Sequence, residues 1–310
     1  MTDNSKKTWL ITGGAGFIGS AIAAELVRMK QKVVILDNFS SSDPSSLKKI
    51  KKSVKIIRGD IRNLHDTIKA VKGVDYVLHH AALISVPQSV EQPKLTKEIN
   101  LEGTFNVLFA AYSAGVKRVV LASSSAVYGN GKDMPYKETA KTDPHSPYAE
   151  TKLQGEKLCR AFYDFYGMEC VILRYFNVFG PGQNPNSEYS AVIAKFIDNA
   201  KSGKEFTIFG DGKQSRDFVF VTDVVQANIL AAQKAKAGEI YNVSGAKSYT
   251  LLQLAKTIGN ISGKKINLKL EAERKGDVKE SSADISKIKA IGFKPQISLE
   301  QGLKIMLEKK

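Results

Sequence analysis

Three glycines at three-residue spacing, Gly13, Gly16 and Gly19, lie between the apolar run Trp9-Leu10-Ile11-Thr12 and a stretch of helical periodicity expected to begin near Ser20. A chain built this way must leave a strand through a tight loop and enter a helix, with bare helix N–H groups and the positive end of the dipole aimed at whatever the loop encloses. A lone glycine triplet can be an ordinary turn. Here Asp37 follows 18 positions after Gly19, at the end of the second apolar run Val33-Val34-Ile35-Leu36, and that combination points to a dinucleotide. A carboxylate there accepts ribose hydroxyls and repels a 2′-phosphate, which favours NAD over NADP. The bland reading of Asp37 and Asn38 is a turn after a strand. Asp60, after the third run, reads equally well as a loop cap or an adenine contact.

Short β-branched runs recur at 8–12, 32–36, 54–58, 76–79, 118–122 and 170–174, separated by stretches of 3.6-residue spacing such as Ala21, Leu26 and Met29. Alternating strand and helix predicts an α/β class fold, a Rossmann-like doubly wound parallel sheet. Beyond Asn177 the chain turns to Pro- and Gly-rich segments, so a smaller C-terminal substrate-binding lobe is expected: domains at 1–176 and 177–310, with segments free to return to the first. A ligand is expected in the cleft between two such lobes, at the carboxyl ends of the strands.

Composition narrows the class. With 46 Lys plus Arg against 31 Asp plus Glu the net charge is +15, which invites nucleic acid. The lysines are dispersed, and the densest group, Lys48, Lys49, Lys51, Lys52 and Lys55, has no interleaved aromatics; a solvated surface helix is expected there and no nucleic-acid partner. The uncharged run 8–24 after Lys6 and Lys7 resembles a signal peptide in outline, but its glycines suit a loop better. No run reaches the ~18 to 20 apolar residues of a membrane span, so a soluble protein is expected. Two cysteines, Cys159 and Cys170, imply neither a disulfide scaffold nor a zinc site, and a reducing, cytoplasmic setting. His79 and His80 adjoin on a strand and point to opposite faces, so strand-end packing is expected rather than a metal.

Tyr148-x-x-x-Lys152 follows Ser146-Pro147, a helix-starting pair, and i, i+4 spacing makes phenol and ammonium neighbours on one face. Lowering a tyrosine from pKa ~10 to ~7 takes roughly 4 kcal/mol, which a lysine and a positive nicotinamide together supply. The bland reading is a surface Tyr–Lys pair. Ser123-Ser124-Ser125-Ala126-Val127-Tyr128-Gly129 follows the fifth apolar run, and a hydroxyl there can bridge the tyrosine and a substrate oxygen, although three serines can also be merely a turn.

Together the motifs Thr12-Gly-Gly-Ala-Gly-Phe-Ile-Gly19, Asp37-Asn38, His80-Ala81-Ala82, Ser124-x-x-x-Tyr128-Gly129, Tyr148-x-x-x-Lys152 and Arg174-Tyr-Phe-Asn177 resemble those of the extended short-chain dehydrogenase/reductases, in the UDP-galactose 4-epimerase branch. The likeness runs from about residue 8 to about residue 305, in family order. It implies a tightly held NAD. Gly13, Gly16, Phe17, Ile18, Gly19, Asp37, Asn38, Asp60, Ile61, Ala81, Ala82, Asn100, Tyr148, Lys152 and Tyr175 would be its binding residues. Asn100 reads equally well as the cap of a helix over 100–114. By the same resemblance Tyr148 deprotonates the sugar's 4-hydroxyl, Ser124 bridges the transfer, and Lys152 holds the nicotinamide ribose and lowers the pKa of Tyr148.

Resemblance also implies that Asn177, Arg216 and Arg274 contact a UDP diphosphate and Asp277 the uridine ribose, with Ser85, Ser124, Val192 and Ser281 near the sugar. Arg216 beside Asp217 otherwise reads as a local salt bridge. Dehydratase relatives carry acidic residues where this chain has Ser124-Ser125-Ala126, so 4-epimerisation is expected, with a 4-keto reductase, a dehydratase or a non-catalytic nucleic-acid-binding relative as rivals. The small Ser281, with Asn184-Pro185-Asn186 and Tyr189-Ser190-Ala191-Val192-Ile193, resembles members that admit N-acetylhexosamines as well as hexoses. Of the aromatic group Phe162, Tyr163, Phe165 and Tyr166, most are expected in the core and the rest in a homodimer contact of the kind usual in the family.

Overall fold

The structure is a computed structural model and describes residues 6–131, 133–184, 192–273 and 279–308. Its strands are β1 (Thr8–Thr12), β2 (Lys32–Asp37), β3 (Val54–Arg58), β4 (Tyr76–His79), β5 (Arg118–Ser124), β6 (Cys170–Tyr175), β7 (Asn177–Phe179), β8 (Phe206–Phe209), β9 (Ser215–Phe220), β10 (Ile240–Val243), β11 (Ser248–Thr250) and β12 (Leu268–Glu271). The helices are α1 (Phe17–Arg28), α2 (Leu64–Val71), α3 (Val86–Glu91), α4 (Pro93–Lys97), α5 (Gly103–Ser113), α6 (Pro147–Tyr166), α7 (Val192–Ser202), α8 (Val221–Lys234), α9 (Leu251–Ser262), α10 (Ser286–Ala290) and α11 (Leu299–Glu308), with a π-helical turn, Glu98–Glu102, joining α4 to α5.

Seven strands form one parallel sheet in the order β10-β6-β5-β4-β1-β2-β3. These strands read as unbroken apolar runs because both sheet faces are covered: Leu10, Ile35, Val77, Val119 and Leu173 are all buried. Strand order reverses between β1 and β4, and a doubly wound sheet opens its ligand crevice at such a point, beyond the carboxyl ends of the strands. The glycine loop leaves β1 there. Helix α1 starts at Phe17, three residues before the expected Ser20, and its buried stripe is Gly19, Ile22, Ala23 and Leu26. Met29, expected in that stripe, is exposed beyond the helix end. The lysine group at 48–55 forms no helix of its own; two short 3-10 turns, Pro44–Leu47 and Lys51–Ser53, carry the chain into β3.

Two compact units result, and the chain passes between them repeatedly. The first contains Met1–Ser124, Ser146–Arg174 and Val225–Tyr241; the second contains Ser125–His145, Tyr175–Val224 and Asn242–Lys310. A break in composition near residue 177 does not reveal the returning pieces, because most of α8 and the start of β10 belong to the first unit, where β10 extends the edge of the central sheet. The first unit's core gathers Leu10, Leu36, Val77, Leu108, Val119, Cys159 and Ile172. In the second unit β7, β9 and β11 form a three-stranded sheet and β8 and β12 a pair. Its core is aromatic: Phe179 meets Phe218 and Phe220 edge-on, and Phe196 stacks on Phe206 at 4.4 Å. Among the described residues, no helix is long and apolar enough to cross a membrane.

Candidate functional site

At the end of β1 the backbone bends at Gly13, whose φ of +66° suits glycine, and a side chain there would strike the backbone of His80 and Ala81. A Cβ on Gly19 would likewise strike the Gly13 carbonyl. Gly16 is the N-cap of α1 and offers no side-chain acceptor, nor does the first turn carry an acid. The outcome is a tight cradle of backbone N–H groups at the positive end of a 12-residue helix, a fit for the diphosphate of a dinucleotide. Phe17 and Ile18 open that helix.

Asp37 closes the next strand, buried, and accepts from the backbone N–H of Ala15 (2.9 Å) and Phe39 (2.8 Å) and from Ser42 Oγ (3.0 Å). It therefore braces the glycine loop as well as the turn after β2. Asn38 donates to Asp60 (2.9 Å), and Arg62 grips the same carboxylate, holding Asp60 down to about 2. Ile61 is buried beneath Gly103. Both readings of Asp60 thus persist: it caps its own loop and lies beside Asn38.

The Thr12 hydroxyl ends β1 and joins it to β4. Thr104 Oγ1 donates its one hydrogen to the Asn100 carbonyl (2.6 Å), so it accepts from His79 Nε2 (2.9 Å). That leaves His79 Nδ1 as acceptor for Thr12 Oγ1 (2.6 Å), which in turn receives the N–H groups of His80 and Ala81 (3.2 Å each). Burial drives His79 down to about 3 and His80 to about 4, so both rings are neutral. Asn100 caps no helix start; it is buried in the π-helical turn, where its amide pairs with both backbone groups of Leu83 and donates to Thr151 (3.1 Å). Periodicity alone does not disclose such a turn, which is common at functional sites. Ala81 and Ala82 lead from β4 toward Leu83, and Ser85 caps α3 by accepting from Gln88 N–H (3.1 Å).

Ser146 caps α6 through the Ala149 N–H (3.1 Å) with Pro147 in the first turn, and this places Tyr148 and Lys152 one turn apart. Ser124 ends β5 and shares a hydrogen bond with the Tyr148 hydroxyl, while Lys152 Nζ lies 5.9 Å from the Tyr148 ring centroid. Lys152 donates to the Ala122 carbonyl (2.9 Å), and burial lowers it to about 8, opposed by the negative Glu156. Burial raises Tyr148 above its ordinary value, and the bond from Ser124 pulls it back. Lysine does not account for the direction of that shift; with the chain's own groups, desolvation of the phenolate wins.

One further group lies on this helix face. Glu156 and Arg174 are both 3% exposed and form a two-pronged ion pair (Nε–Oε1 2.9 Å, Nη2–Oε2 2.6 Å), while Ser123 donates to Glu156 Oε1. A glutamate among Lys and Arg on an amphipathic helix reads as solvent-facing. The available signal was a charge inside the apolar strand Cys170-Val-Ile-Leu-Arg174-Tyr175 together with an acid at i+4 from Lys152.

In the second unit Asn177 Nδ2 donates to the Asp217 carbonyl (3.0 Å), and Arg216 donates to the carbonyls of Ser215 (2.9 Å) and Lys279 (3.5 Å). Neighbouring residues on β9 point to opposite faces. The buried Asp217 carboxylate accepts from the N–H groups of Gly245 (3.1 Å) and Ala283 (3.2 Å), and burial raises it to about 6. Ser281 is buried, with its carbonyl accepting from Ser248 Oγ (2.7 Å); Val192 opens α7, half-buried; Tyr175 is buried at the end of β6. Arg274 and Asp277 lie outside the described residues, as do Pro185, Asn186, Tyr189, Ser190 and Ala191.

Residues 9–244 match the NAD dependent epimerase/dehydratase family. A putative UDP-glucose 4-epimerase of Methanocaldococcus jannaschii is 38% identical over 298 residues, covering 95% of each chain. The UDP-N-acetylglucosamine 4-epimerase of Methanobrevibacter ruminantium, solved with UDP-N-acetylmuramic acid, superposes with a TM-score of 0.94 at 40% identity over 98% of each chain. The UDP-glucose 4-epimerase of Thermotoga maritima, solved with UDP-glucose, gives 0.93 at 35% identity over 97% of each. With the fold, the glycine cradle and these likenesses agreeing along nearly the whole chain, the protein belongs to the NAD-dependent epimerase/dehydratase family.

Proposed function

We propose that the chain is an isomerase that inverts C4 of a UDP-hexose with NAD as resident cofactor. The observation that carries this reading is the grouping of Ser124, Tyr148 and Lys152 on β5 and α6 of the same unit as the glycine cradle. NAD is held by the cradle at Gly13, Gly16 and Gly19 and by Asp37, and when bound it supplies a reversible hydride acceptor. Tyr148 takes the proton of the sugar 4-hydroxyl through its phenol oxygen, Ser124 orients that transfer, and Lys152 stabilises the phenolate and holds the cofactor's ribose. After the 4-keto sugar turns over, the same phenol returns the proton, so no net oxidant is consumed. Arg216 and Asn177 hold the diphosphate, and the small Ser281 admits a 2-N-acetyl group.

Residues 124–126 carry no carboxylate, which disfavours the dehydratase chemistry named for relatives such as a mouse dTDP-glucose 4,6-dehydratase, 32% identical over 317 residues. The exposed aromatic face of α5 and α6 supports a homodimer, and the free, buried Cys159 and Cys170 suit a reducing cytoplasm. Purified protein given UDP-galactose, without added acceptor, should form UDP-glucose, and UDP-N-acetylglucosamine should interconvert with its galacto epimer. Net NADH formation without epimeric product would favour a dehydrogenase instead.

A further inference from the structure

The Ser123–Glu156–Arg174 cluster has no part in the chemistry set out above, yet it joins the two elements that carry Ser124, Tyr148 and Lys152. Ser123 precedes Ser124 on β5, Glu156 follows Lys152 by one turn of α6, and Arg174 precedes Tyr175 on β6. All three side chains lie within one unit, and the carboxylate receives three hydrogen bonds there. Burying two opposite charges is not an economical way to stabilise a core, since apolar residues of similar volume serve as well or better. A fixed negative charge beside a buried ammonium does have a use.

We infer that Glu156 is a positioning residue for Lys152: clamped between Arg174 and Ser123, its carboxylate holds α6 against the ends of β5 and β6 and keeps the lysine head group charged and aimed. The inference rests on Lys152 acting as the catalytic lysine of the epimerase reading. Around that ammonium stand Tyr148 and Glu156 on its own helix and the neutral His79 and His80 at the end of β4, with Arg174 of β6 facing Glu156. Glu156 is thus the one named anionic neighbour opposing the burial that draws Lys152 down to about 8.

The test uses NAD-loaded protein labelled with ¹³C at lysine Cε, the Lys152 resonance being assigned by its loss in Lys152→Met. Glu156→Gln keeps an acceptor for Ser123 but strands the Arg174 guanidinium and can fail to fold; Glu156→Gln/Arg174→Met removes both charges together and keeps the Ser123 acceptor. The Lys152 titration midpoint should fall by about one pH unit in Glu156→Gln, and by less in the double variant, which also loses the opposing Arg174 cation. The alkaline limb of kcat should move with it, while KM for the UDP-sugar changes less than about twofold. A folded double variant with an unmoved lysine midpoint would overturn the inference and leave the cluster as packing. Wild-type protein that fails to interconvert UDP-sugars defeats the epimerase reading instead, and the lysine midpoint still decides the role of Glu156.

Discussion

The side chain asked to do most is Tyr148. Its surroundings raise it, and each unit of pKa to be recovered costs about 1.4 kcal/mol, so the phenolate depends on positive charge brought close. Lys152, itself held near 8, is charged at neutral pH, and in the proposed mechanism it would supply part of that charge and a bound, oxidised nicotinamide ring the rest. Tyr148→Phe keeps the ring and its packing but removes the oxygen. It should lower kcat by about 100- to 10,000-fold while calorimetric affinity for UDP-glucose stays within about threefold. Near-normal turnover would remove Tyr148 from the mechanism. Lys152 loses its charge as pH rises past about 8, so kcat should decline on the alkaline side.

Among elements, the join of β1, β4 and α5 depends on one imidazole. His79 titrates at about 3 in the fold against an ordinary 6.5, so between those values the unfolded chain binds a proton that the native state does not. Stability from this group is complete above 6.5 and is lost as pH falls toward 3, with a slope of at most about 1.4 kcal/mol per pH unit. His79→Gln should be less stable than wild type at pH 7, and urea midpoints of the two should converge at pH 4.5; parallel curves would contradict this. The strands of this join were legible from their apolar runs, since a strand buried on both faces needs little else. The π-helical turn at Glu98–Glu102 was hidden, because one extra residue per turn leaves no mark in a helix already mixed in polarity. Glu156 was hidden for a related reason: only its partner, 18 residues away on another element, makes it an inward residue. The one-turn spacing from Tyr148 to Lys152 was legible because a helix fixes i, i+4 neighbours without tertiary help.

On the whole molecule, the net charge of +15 draws anionic substrates toward the surface without selecting among them. The aromatic face is more specific. Of the four aromatics at 162–166, only Phe162 is buried, contrary to the expectation of a mainly core group, since it shares the inward stripe with Gly155 and Cys159. Phe165 is 81% exposed and Tyr166 56%, and Tyr166 meets Tyr112 at 5.3 Å, joining an exposed row with Phe105 and Phe109 on α5. Such a patch suits the proposed homodimer contact. Light scattering should give a dimer for wild type and a monomer for Phe109→Glu/Phe165→Glu; a monomeric wild type would contradict the assignment. In the proposed reaction one carbon would give up its hydrogen to a bound cofactor and take the same hydrogen back while Tyr148 handles the proton. The direct measurement is conversion of UDP-[4-²H]galactose in ordinary water followed by NMR of the product. Full deuterium retention at C4 of UDP-glucose is predicted, and replacement of that deuterium by solvent hydrogen would contradict it.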